Sequence, residues 1–244
     1  AAFAAERPIE TILSGPAASL VGARFLTGLD NAFVSDIGGT TTDIAILDKG
    51  QPRIDENGAT VGGFNTMVEA VAMRTHGLGG DSEVALEEGG LEPKLILGPR
   101  RILPLALAAA AHPSVLVVLE KQAKSDVLDR LEGRFAFRTG LDDRFAAGLS
   151  TSEQALYDRL KQEPTPLSGL ITAASQMTSL ARLVTRGLAM MSCYTPTDAQ
   201  HVLGRQATGS AEAARLGATL FARKRDGRGR AIAATLEEMA AMTV

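Results

Sequence analysis

An eight-residue segment, Asp36-Ile37-Gly38-Gly39-Thr40-Thr41-Thr42-Asp43, constrains the fold more than any other part of the 244-residue chain. Residues 33–36 have the composition of a β-strand that stops at the glycine pair, and residues 43–47 form a second β-type run. A turn at residues 48–50 closes this second run. The sequence therefore predicts a β-hairpin whose connection consists of glycine and threonine.

The predicted connection has the composition of a phosphate-binding loop. Gly38 and Gly39 lack Cβ atoms, so backbone N–H groups can approach an anion closely. Successive N–H groups in such a turn form a concave nest that holds phosphate oxygens. Thr40 and Thr41 add hydroxyl donors. These four residues are the predicted contacts to a cofactor phosphate.

The aspartates at the two ends of the segment are the predicted catalytic residues. Asp36 would face the phosphates from the end of its strand and hold a metal, Mg²⁺, directly or through water. Asp43 would do the same from the other strand, or would fix the loop by accepting its N–H bonds. The alternative is a glycine turn whose threonines only cap strand ends. The segment is not a Walker A loop, because no Gly-Lys-Ser/Thr follows it.

A second motif, Arg7-Pro8-Ile9-Glu10-Thr11-Ile12-Leu13-Ser14-Gly15-Pro16-Ala17-Ala18, precedes the loop. The order and spacing of the two motifs resemble the paired signature of the hydantoinase A/oxoprolinase family. The resemblance is strongest over residues 7–104 and returns at residues 195–205. That family belongs to the actin/Hsp70/sugar-kinase-like ATPase superfamily. The resemblance implies an α/β fold with an RNase H-like (actin-like ATPase) domain and a mainly helical insertion or C-terminal segment.

The resemblance also implies a function. Family enzymes use ATP to open cyclic amides such as hydantoin or 5-oxoproline by phosphorylating the amide oxygen, and relatives are subunits of ATP-dependent carboxylases. In that setting residues 36–43 would hold the β- and γ-phosphates of ATP together with Mg²⁺. Catalysis would then consist mainly of positioning and charge neutralisation. The expected ligands are therefore a nucleotide and a small cyclic-amide substrate.

A second glycine cluster, Gly77-Leu78-Gly79-Gly80-Asp81-Ser82, is similar to a later glycine-rich segment of the family. The resemblance implies further cofactor contacts at Gly79, Gly80 and Ser82, and the alternative is a turn that permits close packing. The family's Asp-x-His pair is replaced at the preceding positions by Ala72 and Arg74. A non-enzymatic regulatory or scaffold subunit of the same fold therefore competes with the hydrolase as a prediction.

Family proteins carry an earlier Asp-x-Gly-Gly-Thr loop in an N-terminal half, and this sequence has no such first loop. The chain is therefore expected to be a fragment that is inactive alone. The expected partners are the N-terminal half of the parent protein and a possible partner subunit.

Three segments are predicted along the chain. Residues 1–149 would form the nucleotide-binding domain, residues 150–194 a small helical insertion with some winged-helix character, and residues 195–244 a helical return segment that packs on the first domain. Within them, residues 115–119 have the pattern of a buried strand, and residues 180–191 that of an amphipathic helix.

Thr195-Pro196-Thr197-Asp198 has the residue order of a helix cap, with proline at the first helical position and an acid in the first turn. Asp198 and His201 are three residues apart and would share a helix face. They could instead bind a metal or a polar group of a substrate. The cap is the favoured interpretation, because two potential ligands alone do not make a metal site.

The net charge of −3 argues against broad binding to nucleic acid or to an anionic membrane. Arg182 and Arg186, four residues apart, would be the DNA contacts if the insertion were a DNA-binding helix. The single cysteine, Cys193, excludes an internal disulfide and fits a cytoplasmic location. No apolar run reaches the roughly 20 residues of a membrane-spanning helix. The basic run at residues 223–230 has the pattern of a solvated helix end.

Overall fold

A computed structural model of the protein describes residues 14–55, 60–61, 64–65, 70–87, 94–127 and 129–244. The chain divides into two compact units, residues 1–79 and residues 80–244. The predicted boundaries at residues 149/150 and 194/195 do not coincide with this division. Residues 7–13 of the early motif lie outside the described residues. Among the described residues, no helix is long and apolar enough to cross a membrane.

The first unit is a helix packed on a small antiparallel sheet. Helix α1 (Ser14–Thr27) is followed by strands β1 (Ala32–Ile37) and β2 (Thr42–Asp48), which pair as an antiparallel hairpin. The predicted hairpin is therefore confirmed. The remaining strands are β3 (Gln51–Pro52), β4 (Ile54–Asp55), β5 (Thr60–Val61), β6 (Phe64–Asn65), β7 (Ala70–Val71) and β8 (Met73–His76). Strands β3 and β8 both pair with β2.

One face of this sheet is apolar and supports α1. Leu20 from the helix is buried against Ala45 and Leu47 of β2, and Val34 and Met73 pack around them. Alternation of side chains along a strand places every second residue on this face. Asp36 and Asp43 follow Val34 and precede Ala45 at this spacing, so both carboxylates lie on the face that α1 covers.

The second unit contains two cores around one mixed sheet. Its elements are β9 (Ser82–Leu86), β10 (Leu95–Arg101), β11 (Leu103–Pro104), α2 (Leu105–Ala111), α3 (Ser114–Ala123), β12 (Phe135–Arg138), a 3₁₀ turn (Asp143–Ala146), α4 (Thr151–Arg159), β13 (Thr165–Pro166), α5 (Leu167–Leu170), α6 (Ala174–Thr185), β14 (Ala189–Cys193), α7 (Pro196–Val202), α8 (Ala211–Ala222) and α9 (Leu236–Thr243). The sheet order is β11-β14-β12-β13, with β11 parallel to β14 and the other pairs antiparallel. Strands β9 and β10 form a separate antiparallel pair.

Each core of the second unit is built from a different set of helices. The larger core buries residues of α2, α3, α7, α8 and α9, including Leu105, Leu119 and Met239. The smaller core buries residues of α4 and α6, including Leu156 and Leu183, together with Met191 of β14. A mixed α/β architecture is therefore confirmed, whereas an RNase H-like arrangement is not established by it.

Two of the predicted elements are wrong in type. Residues 115–119 lie within helix α3, where Val115 and Leu119, four residues apart, are buried and Val117 is 66% exposed. A short run of β-branched residues does not distinguish a strand from a helix that buries one face. The predicted helix over residues 180–191 ends at Thr185, and Gly187 adopts the left-handed conformation with φ of 72°. The chain then continues as β14, because a glycine in this conformation ends a helix.

Candidate phosphate-binding site

The candidate site is the connection between β1 and β2. Asp36 lies directly opposite Asp43 in the hairpin register, and Ile37 lies opposite Thr42. Gly38 N–H donates to the Thr41 carbonyl at 2.8 Å and closes a tight turn. The structure thus brings the predicted residues at positions 36–43 together at one end of the sheet.

A hydroxyl of helix α1 holds the carboxylate of Asp36. Ser19 Oγ donates to Asp36 Oδ2 at 2.6 Å, and the Asp36 side chain is otherwise exposed. No other contact to this carboxylate is found within the described residues. Asp36 Oδ1 therefore remains available to a ligand on this part of the surface.

Asp43 is held in a corresponding way from the neighbouring strand. Thr75 lies opposite Asp43 in the pairing of β2 with β8, and Thr75 Oγ1 donates to Asp43 Oδ1 at 2.6 Å. A row of polar side chains therefore runs from Asp36 through Asp43 to Thr75. The sequence interpretation missed both Ser19 and Thr75. The only sequence feature that could have indicated them is that each is a hydroxyl residue on an element that packs beside one of the two aspartates.

The glycine cluster after β8 contacts the turn between β1 and β2. A Cβ atom on Gly79 would lie 2.5 Å from the backbone of Gly39 and Thr40, so no side chain fits at this position. Thr42 Oγ1 donates to the Leu78 carbonyl at 2.7 Å and fastens the two segments together. Gly79 therefore packs directly on the loop, and its predicted contact with a cofactor stays a prediction.

The other two predicted residues of this cluster belong to the second unit. The Gly80 carbonyl accepts from Thr197 N–H at 2.8 Å, and a Cβ on Gly80 would lie 2.7 Å from Thr197 Oγ1. Ser82 is fully buried at the start of β9. In this structure Gly80 therefore serves the packing of α7, and the Ser82 side chain faces the protein interior.

Arg74, at one position of the family's Asp-x-His pair, and the neighbouring His76 do not lie on the face of the sheet that carries Asp43. Arg74 lies opposite Ile44, and His76 lies opposite Thr42. Residues 74 and 76 therefore lie on the face of β8 opposite to Thr75, because side chains alternate along a strand. His76 does not replace the missing histidine on the side of Asp43.

Asp198 and His201 have structural partners, as the favoured interpretation predicted. Asp198 is fully buried and accepts hydrogen bonds from Thr195 N–H and Oγ1 and from the N–H groups of Leu105 and Ala106. His201 is bonded through its two ring nitrogens to the carbonyls of Thr197 and Thr208. Burial raises the pKa of Asp198 to about 6, although the hydrogen bonds to its carboxylate oppose this shift. No group of three or more potential metal ligands occurs among the described residues.

Arg182 and Arg186, the arginines considered for DNA contact, form ion pairs and hydrogen bonds with other residues of the protein. Arg182 Nη1 lies 3.2 Å from Glu153 Oε1, and Arg186 donates to the carbonyls of Phe145 and Ala147 at 2.6 and 2.8 Å. These contacts fix α6 beside α4 and the 3₁₀ turn. The arrangement supports a packing role for the helical segment.

Comparison with known proteins supports the resemblance seen in the sequence. The model of the hydantoinase/oxoprolinase family matches residues 1–100. An acetone carboxylase, whose nucleotide-free structure was solved in work on ATP-dependent acetone carboxylation, is 34% identical over 37% of this chain. The match spans 13% of that protein, with a TM-score of 0.32, which does not establish a shared fold. No curated protein matches the chain.

The family match covers the paired signature, including the loop at residues 36–43, and the glycine cluster at residues 77–82. The described part of this region forms the hairpin that the signature predicts, with the glycine cluster against its turn. Residues 1–100 of the chain are therefore similar to the hydantoinase/oxoprolinase family, whose model covers less than half of the 244 residues.

Proposed function

We propose that the loop at residues 36–43 binds the phosphate groups of ATP together with Mg²⁺, in a protein that uses ATP to open cyclic amides of the hydantoin or 5-oxoproline type. The observation that carries the proposal is the pair of facing carboxylates, Asp36 and Asp43, beside a glycine turn. The family match over residues 1–100 supports the same reaction class.

The donor set fits Mg²⁺ bound together with phosphate. Mg²⁺ is usually held by one or two carboxylates, by waters and by phosphate oxygens rather than by a cage of protein ligands. Asp36 would be the direct or water-mediated ligand, and Asp43 would be the second carboxylate. When bound, the ion would neutralise charge on the transferred phosphoryl group.

The chain's own residues would orient the phosphates. The N–H groups around Gly38 and Gly39 are the expected anion donors, because glycine allows the backbone to approach the ligand closely. Ser19 and Thr75 would each bind one carboxylate oxygen of an aspartate. The carboxylate would then have a fixed orientation, and its second oxygen would point to the ligand. Gly79 would keep the turn at Gly39 and Thr40 from moving away.

The second candidate function is that of a subunit of an ATP-dependent carboxylase. The replacement of the family's Asp-x-His pair by Ala72 and Arg74 separates the chain from the hydrolase pattern and so weakens the hydrolase relative to this alternative and to a non-enzymatic subunit. A regulatory or scaffold subunit that binds nucleotide without turnover is the remaining, non-enzymatic interpretation of the same site. The N-terminal half of the parent protein would be the partner in any of the three cases.

Calorimetric titration with Mg²⁺-ATP and Mg²⁺-ADP tests the phosphate site. We expect binding by the wild-type chain that Asp36→Asn abolishes. Asp48→Asn is the matched control, because Asp48 is exposed at the far end of the same hairpin. Unchanged binding in Asp36→Asn would remove Asp36 from the site. If the chain alone does not bind nucleotide, the wild type and both variants are titrated in the full-length parent.

Turnover then separates the candidate reactions. ATP hydrolysis by the full-length protein is measured with 5-oxoproline, with hydantoin, and with acetone plus bicarbonate. Stimulation by a cyclic amide supports the hydrolase, and stimulation only by the ketone with bicarbonate supports the carboxylase. Nucleotide binding without stimulation by any of them would support the scaffold role.

A further inference from the structure

The second unit contains a cleft that the proposed phosphate site does not use. Its volume is about 1070 Å³, at the upper end of the range of roughly 300–1,000 Å³ for small-molecule sites. Strand β9, the turn at residues 129–134, the start of α6 and the segment after α8 form its walls. All of these belong to residues 80–244, so the cleft lies within one compact unit.

Lys224 lies in this cleft and has an unusual environment for a lysine. Its Nζ lies 4.5 Å from the centroid of the Phe221 ring, a cation–π contact at the end of α8. No described residue provides its ammonium group with a hydrogen bond or an ion pair. Burial lowers the pKa of Lys224 to about 8, and the nearby Arg134 lowers it further. At neutral pH the group therefore remains largely a cation that has lost much of its water. The nearby Glu132 attracts it electrostatically, but no described carboxylate forms a direct ion pair with it.

The basic run at residues 223–230 is the solvated segment that its sequence predicts at Arg225, Arg228 and Arg230, which are exposed, but not at Arg223 and Lys224, which are half-buried. Arg223 donates to the carbonyls of Ala123 and Ser125, and Arg230 pairs with Asp226 at 3.0 Å. Only the neighbouring Lys224 is partly buried without such a partner. A buried cation is costly unless an anion accompanies it. This position therefore points to a ligand with negative charge.

The other charges of the cleft restrict the charge of that ligand. Arg134 pairs with Glu83, and Arg130 also has an interaction of its own. The basic lining residues are Arg130, Arg134, Lys224 and Arg225, and the acidic ones are Glu83, Glu87, Asp129, Glu132 and Asp226. A ligand with two negative charges would be repelled by these acidic side chains, which outnumber the basic ones. One negative charge matches the single unpaired ammonium group.

Apart from Thr172, the remaining lining of the cleft is apolar. Its apolar side chains come from β9, the 129–134 turn, the connection into α6, α6 itself and the segment after α8, and include Val84, Leu86, Leu131, Ile171, Met177 and Ile232. Apolar surface of this kind favours a hydrocarbon ligand, because contact between the two removes apolar area from water. Methionine adapts its shape readily to such ligands. The surface is therefore suited to the body of an amphipathic molecule.

We propose that this cleft binds a small amphipathic monocarboxylate, with the carboxylate on Lys224 Nζ and the hydrocarbon chain against the apolar wall. The site does not depend on the proposed phosphate site, because each lies in a different compact unit. A failure of one proposal leaves the other intact.

Titration calorimetry of the whole chain with octanoate tests the proposal, with 1-octanol and inorganic phosphate as comparison ligands. We expect octanoate to bind to the wild type, 1-octanol to bind at least tenfold more weakly, and phosphate not to compete. Lys224→Met keeps an unbranched side chain over Phe221 and removes the charge, so it should weaken octanoate binding at least tenfold. Lys224→Arg should restore part of the affinity, because it restores the charge.

Lys121→Met is the matched control, since Lys121 is exposed on α3 and does not line the cleft. It should bind octanoate as the wild type does. Circular-dichroism melting of each variant establishes that it is folded before titration. No binding of octanoate to the wild type, equal binding of 1-octanol, displacement of octanoate by phosphate, or full affinity in Lys224→Met would each overturn the proposal.

Discussion

Asp36 and Asp43 lie directly opposite each other on adjacent antiparallel strands, and a separate hydroxyl group holds each carboxylate. Two like charges placed side by side repel each other and favour a bound cation between or beside them. The hydroxyl groups satisfy one oxygen of each carboxylate and leave the other for a ligand. This relationship is the structural basis of the predictions for the loop.

The contact of Gly79 with the turn predicts a strong effect of a single methyl group. In Gly79→Ala the new Cβ would overlap the backbone of Gly39 and Thr40 at 2.5 Å, so the turn must move. We expect Mg²⁺-ATP affinity to fall at least tenfold, about 1.4 kcal/mol. Gly22→Ala in α1 is the control, because a methyl group added there would meet no atom of another element within 4 Å. Calorimetry that gives equal affinities for both variants would contradict the assigned role.

The hydroxyl groups of Ser19 and Thr75 should tune binding rather than determine it. Ser19→Ala and Thr75→Val each remove one hydrogen bond to a carboxylate, at a cost of about 0.5–1.5 kcal/mol. We expect a loss of about two- to tenfold in Mg²⁺-ATP affinity for each variant. Thr27→Ala removes a hydroxyl group from the end of the same helix, where it donates to the Ala23 carbonyl, and should leave affinity unchanged. A Ser19→Ala variant that binds as tightly as the wild type would show that Asp36 needs no such support.

Asp198 predicts a specific dependence of stability on pH. Its pKa in the folded protein, about 6, lies above the ordinary value of 3.8, so the folded state binds this proton more tightly than the unfolded state does. The resulting stabilisation is present below pH 4 and is lost as pH rises through 6. The free energy of unfolding of the wild type should therefore fall, relative to Asp198→Asn, between pH 4 and pH 6.

The same substitution should also lower stability at neutral pH. An amide at position 198 accepts through one oxygen only, and its NH₂ group would face the N–H donors of Leu105 or Ala106. A loss of about 1–3 kcal/mol is expected from the unpaired buried groups. Urea unfolding at pH 4, 5, 6 and 7 measures both effects, with Glu212→Gln on an exposed helix turn as the control. A pH-independent difference between the wild type and Asp198→Asn would contradict the assignment.

Removal of the charge of Lys224 should raise the free energy of unfolding, whereas Asp198→Asn should lower it. Its pKa is about 8 in the folded protein against an ordinary value of 10.5, so the unfolded state binds this proton more tightly. Stability should therefore rise as pH increases from 8 to 10.5. Without ligand, Lys224→Met should be more stable than the wild type at pH 7, by on the order of 1–3 kcal/mol. Thermal unfolding at pH 7 and pH 10.5 checks this, and an advantage of the variant that stays constant with pH would show that packing rather than charge is responsible.

Local patterns determined the hairpin of the first unit and the cap of α7. The glycine pair between two β-type runs predicted the hairpin, and the structure pairs residues 32–37 with residues 42–47. Thr195 and Asp198 form the capping box that their spacing predicted. These features depend on residues that are close in sequence, which is why they could be predicted without a fold. The type of the segment at residues 115–119 could not, because its burial on one helical face depends on contacts with distant helices.

The sequence by itself determined the glycine–threonine hairpin, the similarity of residues 1–100 to the hydantoinase/oxoprolinase family and the placement of Asp36 and Asp43 on paired strands. Only the tertiary structure decided which hydroxyl groups hold the two aspartates, that Gly79 packs on Gly39, and that Lys224 lies in a cleft rather than on a solvated helix end. The physical reason is the range of the interactions. A turn or a cap is set by neighbouring residues, whereas burial and the pairing of charges depend on groups that the fold brings together from distant positions in the chain.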